Sequence, residues 1–195
     1  MKITFDSPVI LTFSFLCAGI YLLCSISPGL GSLFVLQPEW DLGSASWYFR
    51  LFSHGMGHQD TAHLMGNLSL ILLLGPIIEK RYGAKKLILM MFTTLVVTAI
   101  LHISFFNHGL LGASGIVFML ILLVSAQNIR ARQLPLTFIL VVIIFIGNEI
   151  MASFTQDNIS HFAHIIGGVI GTIFAYLLSG KSGGSSALTT NETIV

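Results

Sequence analysis

The sequence predicts an all-α integral membrane protein, a bundle of six transmembrane helices with a long, partly embedded first loop. Two observations predict this class. Of the 195 residues, 54% are hydrophobic and 9% are charged, whereas soluble domains carry roughly 25% charged residues. The apolar residues also gather into six runs, each close to the ~20 residues that cross a bilayer as a helix. The net charge of +1, without a basic patch, gives no indication of a nucleic-acid partner.

The first apolar run covers residues 9–26 and follows a short polar leader. It is longer than the apolar core of a secretory signal, and no soluble domain follows it, so we expect a true membrane span. Residues 27–60 form the longest connection and carry Trp40, Trp47 and Tyr48. Because tryptophan and tyrosine favour the membrane–water interface, we expect short interfacial helices here.

Five further runs complete the predicted bundle, and residues 1–180 are expected to form one domain. The runs lie at about residues 62–78, 86–106, 113–128, 134–152 and 160–178. The run at 113–128 is short, which predicts that its first residues start below the membrane surface. Residues 181–195 are rich in glycine, serine and threonine, so we expect a disordered cytoplasmic tail.

Basic residues predict the orientation of the bundle. Six spans place both termini on one side, and eight of the nine Lys and Arg residues fall on that side, with only Arg50 opposite. The eight are Lys2, Lys80, Arg81, Lys85, Lys86, Arg130, Arg132 and Lys181. The positive-inside rule therefore puts both termini in the cytoplasm. We also expect the protein to lie in the plasma (inner) membrane.

Polar residues begin the three spans that then run from outside to inside. His63 and Asn67 lie in the first turns of the second span, Ser114 in those of the fourth and His164 in those of the sixth. A strongly polar residue within a span is costly and marks a functional site by default. The shared depth predicts a site in the outer half of the membrane, open to the periplasmic or extracellular side.

These residue types suit nucleophilic attack on a carbonyl. A serine hydroxyl becomes reactive when a neutral imidazole takes its proton, so Ser114 is the candidate nucleophile and His164 the candidate base. The oxyanion that forms needs preorganised donors, which His63, Asn67 and the Ser114 backbone N–H would supply. No carboxylate is expected in the outer half of a span to orient His164, because Asp157 precedes the sixth span. The sequence therefore predicts a dyad and not a triad.

Each of these residues also has an ordinary structural explanation. Serine and asparagine in membrane helices usually hydrogen-bond to the backbone or to a neighbouring helix. The spacing of Gly167 and Gly171 after His164 could mark nothing more than a close helix contact. The chemical interpretation is favoured because all the polar residues share one depth.

A metal site is the alternative that the histidines raise. They cluster in two places: His54, His58, His63, His161 and His164. There is no H-E-x-x-H motif, and Glu149 is the one acid that could join them. We therefore expect neither a metal nor another cofactor.

The motifs around these residues resemble those of the rhomboid family of intramembrane serine proteases, over about residues 50–176. The family's second-span motif is matched by His58-x4-His63-x3-Asn67, its G-x-S-G motif by Gly112-Ala113-Ser114-Gly115, and its sixth-span A-H-x-x-G-x-x-x-G motif by Ala163-His164-x2-Gly167-x3-Gly171. The stretch from Glu79 to Gly83 resembles the one that follows the family's second span. Three motifs in order at matching spans are a specific signature.

The resemblance implies a role for each matching position. Ser114 would be the nucleophile, His164 the base, and His63, Asn67 and the Ser114 amide the oxyanion hole. Phe118 would pack against the catalytic histidine. The residues expected to support the site are Gly112, Gly115, Phe118, Gly167, Gly171, His58, Arg50 and His161. Arg50 departs from the family pattern, because it follows Phe49 where the family often has tryptophan.

The resemblance implies a serine endopeptidase that cleaves transmembrane protein substrates in the outer half of the bilayer through an acyl-enzyme. The alternative is a non-catalytic, rhomboid-like scaffold that binds transmembrane segments. Inactive relatives usually lose the serine or the histidine, and this chain retains both Ser114 and His164. A metal or ion transporter is a third interpretation, weakened by the lack of a charged path through both membrane halves.

Overall fold

The computed structural model describes residues 2–126, 134–152, 154 and 161–179. Within them the chain is helical, apart from turns, loops and one isolated antiparallel bridge between Leu36 and Leu110. The α-helices are α1 Pro8–Ile26, α2 Ala45–Ser53, α3 Thr61–Tyr82, α4 Ala84–Phe105, α5 Ser114–Ser125, α6 Leu136–Val141, α7 Gly147–Ala152 and α8 His161–Ser179. The predicted tail, Asp157, Arg130, Arg132 and Lys181 lie outside the described residues.

Four helices are long and apolar enough to cross a membrane: Pro8–Ile26, Thr61–Tyr82, Ala84–Phe105 and His161–Leu178. Two shorter apolar helices cover Ser114–Ser125 and Leu136–Met151. The second of these contains a π-helical turn, Val142–Ile146, between α6 and α7. The predicted all-α membrane class is confirmed, while the count of six spans stays a prediction.

The start of α1 is held by a buried acid at the end of α3. The two carboxylate oxygens of Glu79 accept hydrogen bonds from the backbone N–H groups of Val9 and Ile10, at 3.0 and 3.1 Å. These N–H groups belong to the first turn of a helix, which has no internal acceptors for them. Pro8 begins the same turn with the backbone angle that a helix needs. The contact fixes the first turn of α1 against the last turn of α3.

Short helices occupy the connection between α1 and α3. A 3₁₀-helix covers Pro28–Phe34, and α2 carries Trp47, whose indole N–H donates to the Glu39 carbonyl at 2.8 Å. The guanidinium of Arg50 donates to the Ser32 carbonyl at 2.9 Å. Side chains of α2 thus hold the preceding loop in place. The partial embedding of this segment in the membrane stays a prediction.

The centre of the bundle is α5. Every residue from Gly115 to Leu123 is buried, and the helix packs most extensively on α8, with further contacts to α3, α4 and α6. A helix that is apolar all round is typical of such a central position. Ser114, the first residue of α5, is therefore surrounded by other helices.

Glycines allow α5 and α8 to touch through their backbones. A Cβ atom added at Gly167 would meet the carbonyl oxygen of Gly115, and one added at Gly171 would meet the carbonyl oxygen of Met119. No side chain separates the two helices at these points. Because small residues permit this approach, the sixth-span glycines bring the start of α8 close to the start of α5.

Candidate active site

The loop before α5 presents Ser114 at the beginning of a helix. Gly112 has a φ of 117°, a conformation that favours glycine. A Cβ there would also lie 2.7 Å from the ring of His63. The backbone N–H of Gly112 donates to the His54 carbonyl at 2.9 Å, which fixes the loop. As the first residue of α5, Ser114 has a backbone N–H that the helix itself leaves without an acceptor.

His63 and Asn67 reach the same loop from α3. Asp60 caps this helix by accepting the His63 backbone N–H at 2.8 Å, which starts the helix in the register that turns both side chains inward. The amide nitrogen of Asn67 lies 3.9 Å from the Cβ position of Gly112. Gly112 is therefore covered by both candidate oxyanion donors.

His58 holds Asn67 in place. Its Nε2 accepts a hydrogen bond from the Asn67 amide at 3.1 Å, and its Nδ1 faces the Met56 carbonyl at 3.2 Å. Because Nε2 accepts, the proton of the neutral ring is on Nδ1. Burial, together with a smaller effect of the neighbouring His63, lowers the pKa of His58 to about 4. His58 is thus neutral near pH 7, as its acceptor role requires.

The ring of His164 lies flat against the ring of Phe118. Their centroids are 4.5 Å apart and their planes differ by 6°. Phe118 is four residues after Ser114, so the two side chains share one face of α5. The stack and the backbone contact at Gly167 bring His164 to the side of α5 that carries Ser114. Among the described residues, the Ser114 hydroxyl makes no hydrogen bond to His164; catalytic hydrogen bonds often tighten only when substrate is bound.

Glu149, which the sequence analysis considered only as a possible metal ligand, lies beside His164. Its Oε2 lies 2.8 Å from Nδ1 of His164 and 2.6 Å from Nδ1 of His161. The expectation that no carboxylate lies beside His164 is therefore wrong. The contact between Glu149 and His161 has hydrogen-bond geometry. The contact between Glu149 and His164 has the distance of an ion pair, but its geometry is not that of a hydrogen bond. A signal was present, because an acid inside an apolar run needs a partner.

The structure groups two of the histidines with an acid and places His54 elsewhere. Glu149, His161 and His164 are the one group of three potential metal ligands within the described ranges, with ligand atoms no more than 4.8 Å apart. His54 lies apart from this group, and its Nδ1 donates to the Arg50 carbonyl at 3.0 Å. Arg50 itself lies on α2, and its side chain bonds to Ser32 rather than to Ser114 or His164.

A small cavity adjoins Ser114. Its volume is about 10 Å³, roughly the space that one water molecule needs. Its lining includes His54, Thr98, Gly112 and Ala163. The hydroxyl of Thr98 is buried there and makes no hydrogen bond to protein.

Comparison with known proteins identifies relatives of this chain. A family model described as the Rhomboid domain matches residues 45–181. The chain is similar to Rhomboid protease GlpG of Haemophilus influenzae, with 24% identity over 132 residues that cover 66% of this chain and 69% of the relative. It is also similar to Rhomboid-related protein 1 of Caenorhabditis elegans, with 29% identity over 174 residues, 83% of this chain and 47% of the relative. The chain thus spans about half the length of the second relative.

Proposed function

The chain belongs to the rhomboid family, and from that premise we propose that it is an intramembrane serine endopeptidase. It would cleave transmembrane proteins in the outer half of the bilayer. The observation that best supports this is the stack of His164 on Phe118, one helical turn beyond Ser114. The stack fixes the ring of His164 close to Ser114, the first residue of the buried helix α5.

Acylation would begin with the transfer of the Ser114 hydroxyl proton to Nε2 of His164. The oxygen attacks the carbonyl carbon of the scissile bond and forms a tetrahedral intermediate. His164 then gives its proton to the leaving nitrogen, the C–N bond breaks, and an ester to Ser114 remains. A water molecule, deprotonated by His164, then attacks this ester. The C–O bond to Ser114 breaks, His164 returns the proton to the serine oxygen, and the product leaves with a new carboxyl group.

The oxyanion of the intermediate would be bound by the Ser114 backbone N–H, the Asn67 amide and the His63 ring. Asn67 has two amide hydrogens, and His58 takes only one of them. The other is left for the oxyanion. Gly112 supports this arrangement, because it leaves room for the His63 ring two residues before the nucleophile.

The proposed membrane arrangement has six spans, with both termini in the cytoplasm and the site open to the outside. The four long apolar helices support it, and α5 and the α6–α7 segment would be the two shorter spans. With 12 residues, α5 rises about 18 Å, less than the ~30 Å hydrocarbon core, so Ser114 would lie below the membrane surface. A substrate helix must unwind locally there, because its peptide groups are otherwise bonded within the helix.

Cleavage of a model single-span substrate by the purified protein in liposomes tests the proposal. Wild type is compared with Ser114→Ala and His164→Ala, each checked for folding by its melting temperature. We expect wild type to cut and both variants to be inactive while folded. A Ser114→Ala variant that still cleaves would exclude the serine mechanism.

The second candidate is a rhomboid-like scaffold that binds transmembrane segments without cutting them. The missing hydrogen bond between Ser114 and His164 favours it, although both residues are retained. Wild type that binds the substrate segment but never cleaves it, across several substrates, would support this candidate.

A further inference from the structure

We propose that Glu149 is a positioning residue for His164, so that the site operates as a serine–histidine–glutamate array rather than a dyad. This inference rests on the proposed protease function. Glu149 comes from α7 and faces the first turn of α8, where its Oε2 lies 2.8 Å from Nδ1 of His164. With Nδ1 at the carboxylate, Nε2 is the ring nitrogen that is left for Ser114.

Phe118 alone cannot determine which ring nitrogen of His164 faces Ser114. A stacked partner fixes the plane of an imidazole ring, but within that plane the ring can turn or flip. A contact to one ring nitrogen removes this freedom and decides which nitrogen faces the nucleophile. The stack at 4.5 Å and the carboxylate at 2.8 Å are therefore complementary constraints on His164.

His161 keeps the carboxylate in place. Its Nδ1 donates to the same Oε2 at 2.6 Å, and both Glu149 and His161 are buried, at 8% exposure each. A buried carboxylate is costly unless it accepts hydrogen bonds. His161 and His164 are three apart on α8, so one carboxylate can reach both rings. The first turn of a helix also favours negative charge.

The chemical role follows from the charge that develops during acylation. When Nε2 takes the Ser114 proton, His164 becomes an imidazolium cation. Glu149 stabilises this cation and keeps the other ring proton on Nδ1, without itself becoming protonated. When His164 returns the Nε2 proton to the leaving nitrogen, the ring is neutral again and Glu149 is unchanged.

The spacing favours direct contacts between the carboxylate and the two histidines over a metal site. The N–O distances of 2.6 and 2.8 Å fall in the range of charge-assisted hydrogen bonds, and the contact with His161 also has hydrogen-bond geometry. Ligands of a tetrahedral zinc ion, each about 2.0–2.1 Å from the metal, lie about 3.3 Å from one another. The other titratable group facing His164 among the described residues is His63 from α3, which interacts with it electrostatically.

The test compares Glu149→Gln and Glu149→Asp with wild type in the liposome cleavage assay. Glu39→Gln, at an exposed acid of the first loop, is the matched control. We expect Glu149→Gln to lower kcat on the order of 10²-fold with little change in KM, because binding of the substrate helix does not involve the carboxylate. Glu149→Asp should recover part of the loss, and the control should match wild type.

The tautomer of His164 gives a readout that needs no cleavage. ¹⁵N NMR of histidine-labelled wild type should show His164 with its proton on Nδ1, and Glu149→Gln should show a mixture of tautomers. This measurement decides the inference even if wild type proves inactive or if Glu149→Gln fails to fold, since a wild-type His164 with its proton on Nε2 would overturn it.

Two further outcomes would also overturn the inference. The first is a folded Glu149→Gln protein with wild-type kcat; the proposed protease would then stand, provided Ser114→Ala is inactive. The second is activity that depends on micromolar zinc in wild type but not in Glu149→Gln, which would indicate a metal site. Activity unaffected by a chelator supports the direct contacts of Glu149 with the two histidines.

Discussion

The rings of Phe118 and His164 are parallel within 6° and 4.5 Å apart, which makes Phe118 one wall of the proposed catalytic centre. Stacked aromatic pairs contribute about 0.5–1.5 kcal/mol beyond the area they bury. We expect Phe118→Leu to lower kcat roughly tenfold, the rate equivalent of ~1.4 kcal/mol. Phe15→Leu, at an exposed position of α1, is the control and should cleave like wild type. Equal kcat for both variants would show that the stack does not position His164.

A methyl group at Gly167 should separate α5 from α8. Its Cβ would meet the Gly115 carbonyl, which is backbone and cannot move aside. Overpacking of this kind costs about 1–3 kcal/mol, so Gly167→Ala should lower the melting temperature and abolish cleavage. Gly19→Ala is the control, because nothing lies within 4 Å of its Cβ position. A Gly167→Ala protein as stable and active as wild type would contradict the backbone contact.

Loss of the Glu79 carboxylate should destabilise the fold without altering the chemistry. Glu79→Ala leaves the N–H groups of Val9 and Ile10 without acceptors, and a lost helix cap costs about 0.5–2 kcal/mol. The melting temperature should fall while kcat of the remaining folded protein stays at the wild-type value. A fall in kcat at unchanged stability would mean that α1 influences the site directly.

Acid should destabilise the protein through two histidines of the first loop. Burial lowers the pKa of His54 to about 4, with a smaller contribution from His102, and burial also lowers that of His58 to about 4. An unfolded chain has histidines near pKa 6.5, so between pH 6.5 and 4 it binds more protons than the folded chain. Stability is therefore complete above pH 6.5 and falls as the pH drops toward 4.

Melting temperatures measured from pH 7.5 to pH 4.5 test this expectation. His58→Gln keeps an acceptor for Asn67 but cannot titrate, so its melting temperature should depend less on pH than that of wild type. Identical pH dependence for the two proteins would exclude His58 as a source of the acid sensitivity.

The fold class was predictable from the sequence because apolar runs in a membrane protein have few alternatives to helices. The helices differ from the predicted runs mainly at their ends: α3 begins at Thr61, close to the predicted start at 62, but continues to Tyr82. The position of Gly112 against His63 was not predictable, because it depends on how a loop packs on another helix.

The contact of Glu149 with His164 was not foreseen for a different reason. The π-helical turn at Val142–Ile146 precedes α7, and such a turn carries extra residues in one hydrogen-bonded ring. It rotates every later side chain relative to a regular helix. The face on which Glu149 lies therefore could not be read from a period of 3.6 residues, even though the acid itself was visible.

The contact between α5 and α8 has a consequence for how the protein responds to its lipid surroundings. Changes in bilayer thickness act on helices that touch lipid, such as α1 with its exposed Phe15 and Leu22. The residues of α5 from Gly115 to Leu123 are buried inside the bundle, and a Cβ at Gly167 would meet main-chain atoms of Gly115, which have no rotamers to adjust. We therefore expect the spacing of Ser114 and His164 to depend little on membrane composition, and differences in activity between membranes to arise in substrate entry rather than in bond cleavage.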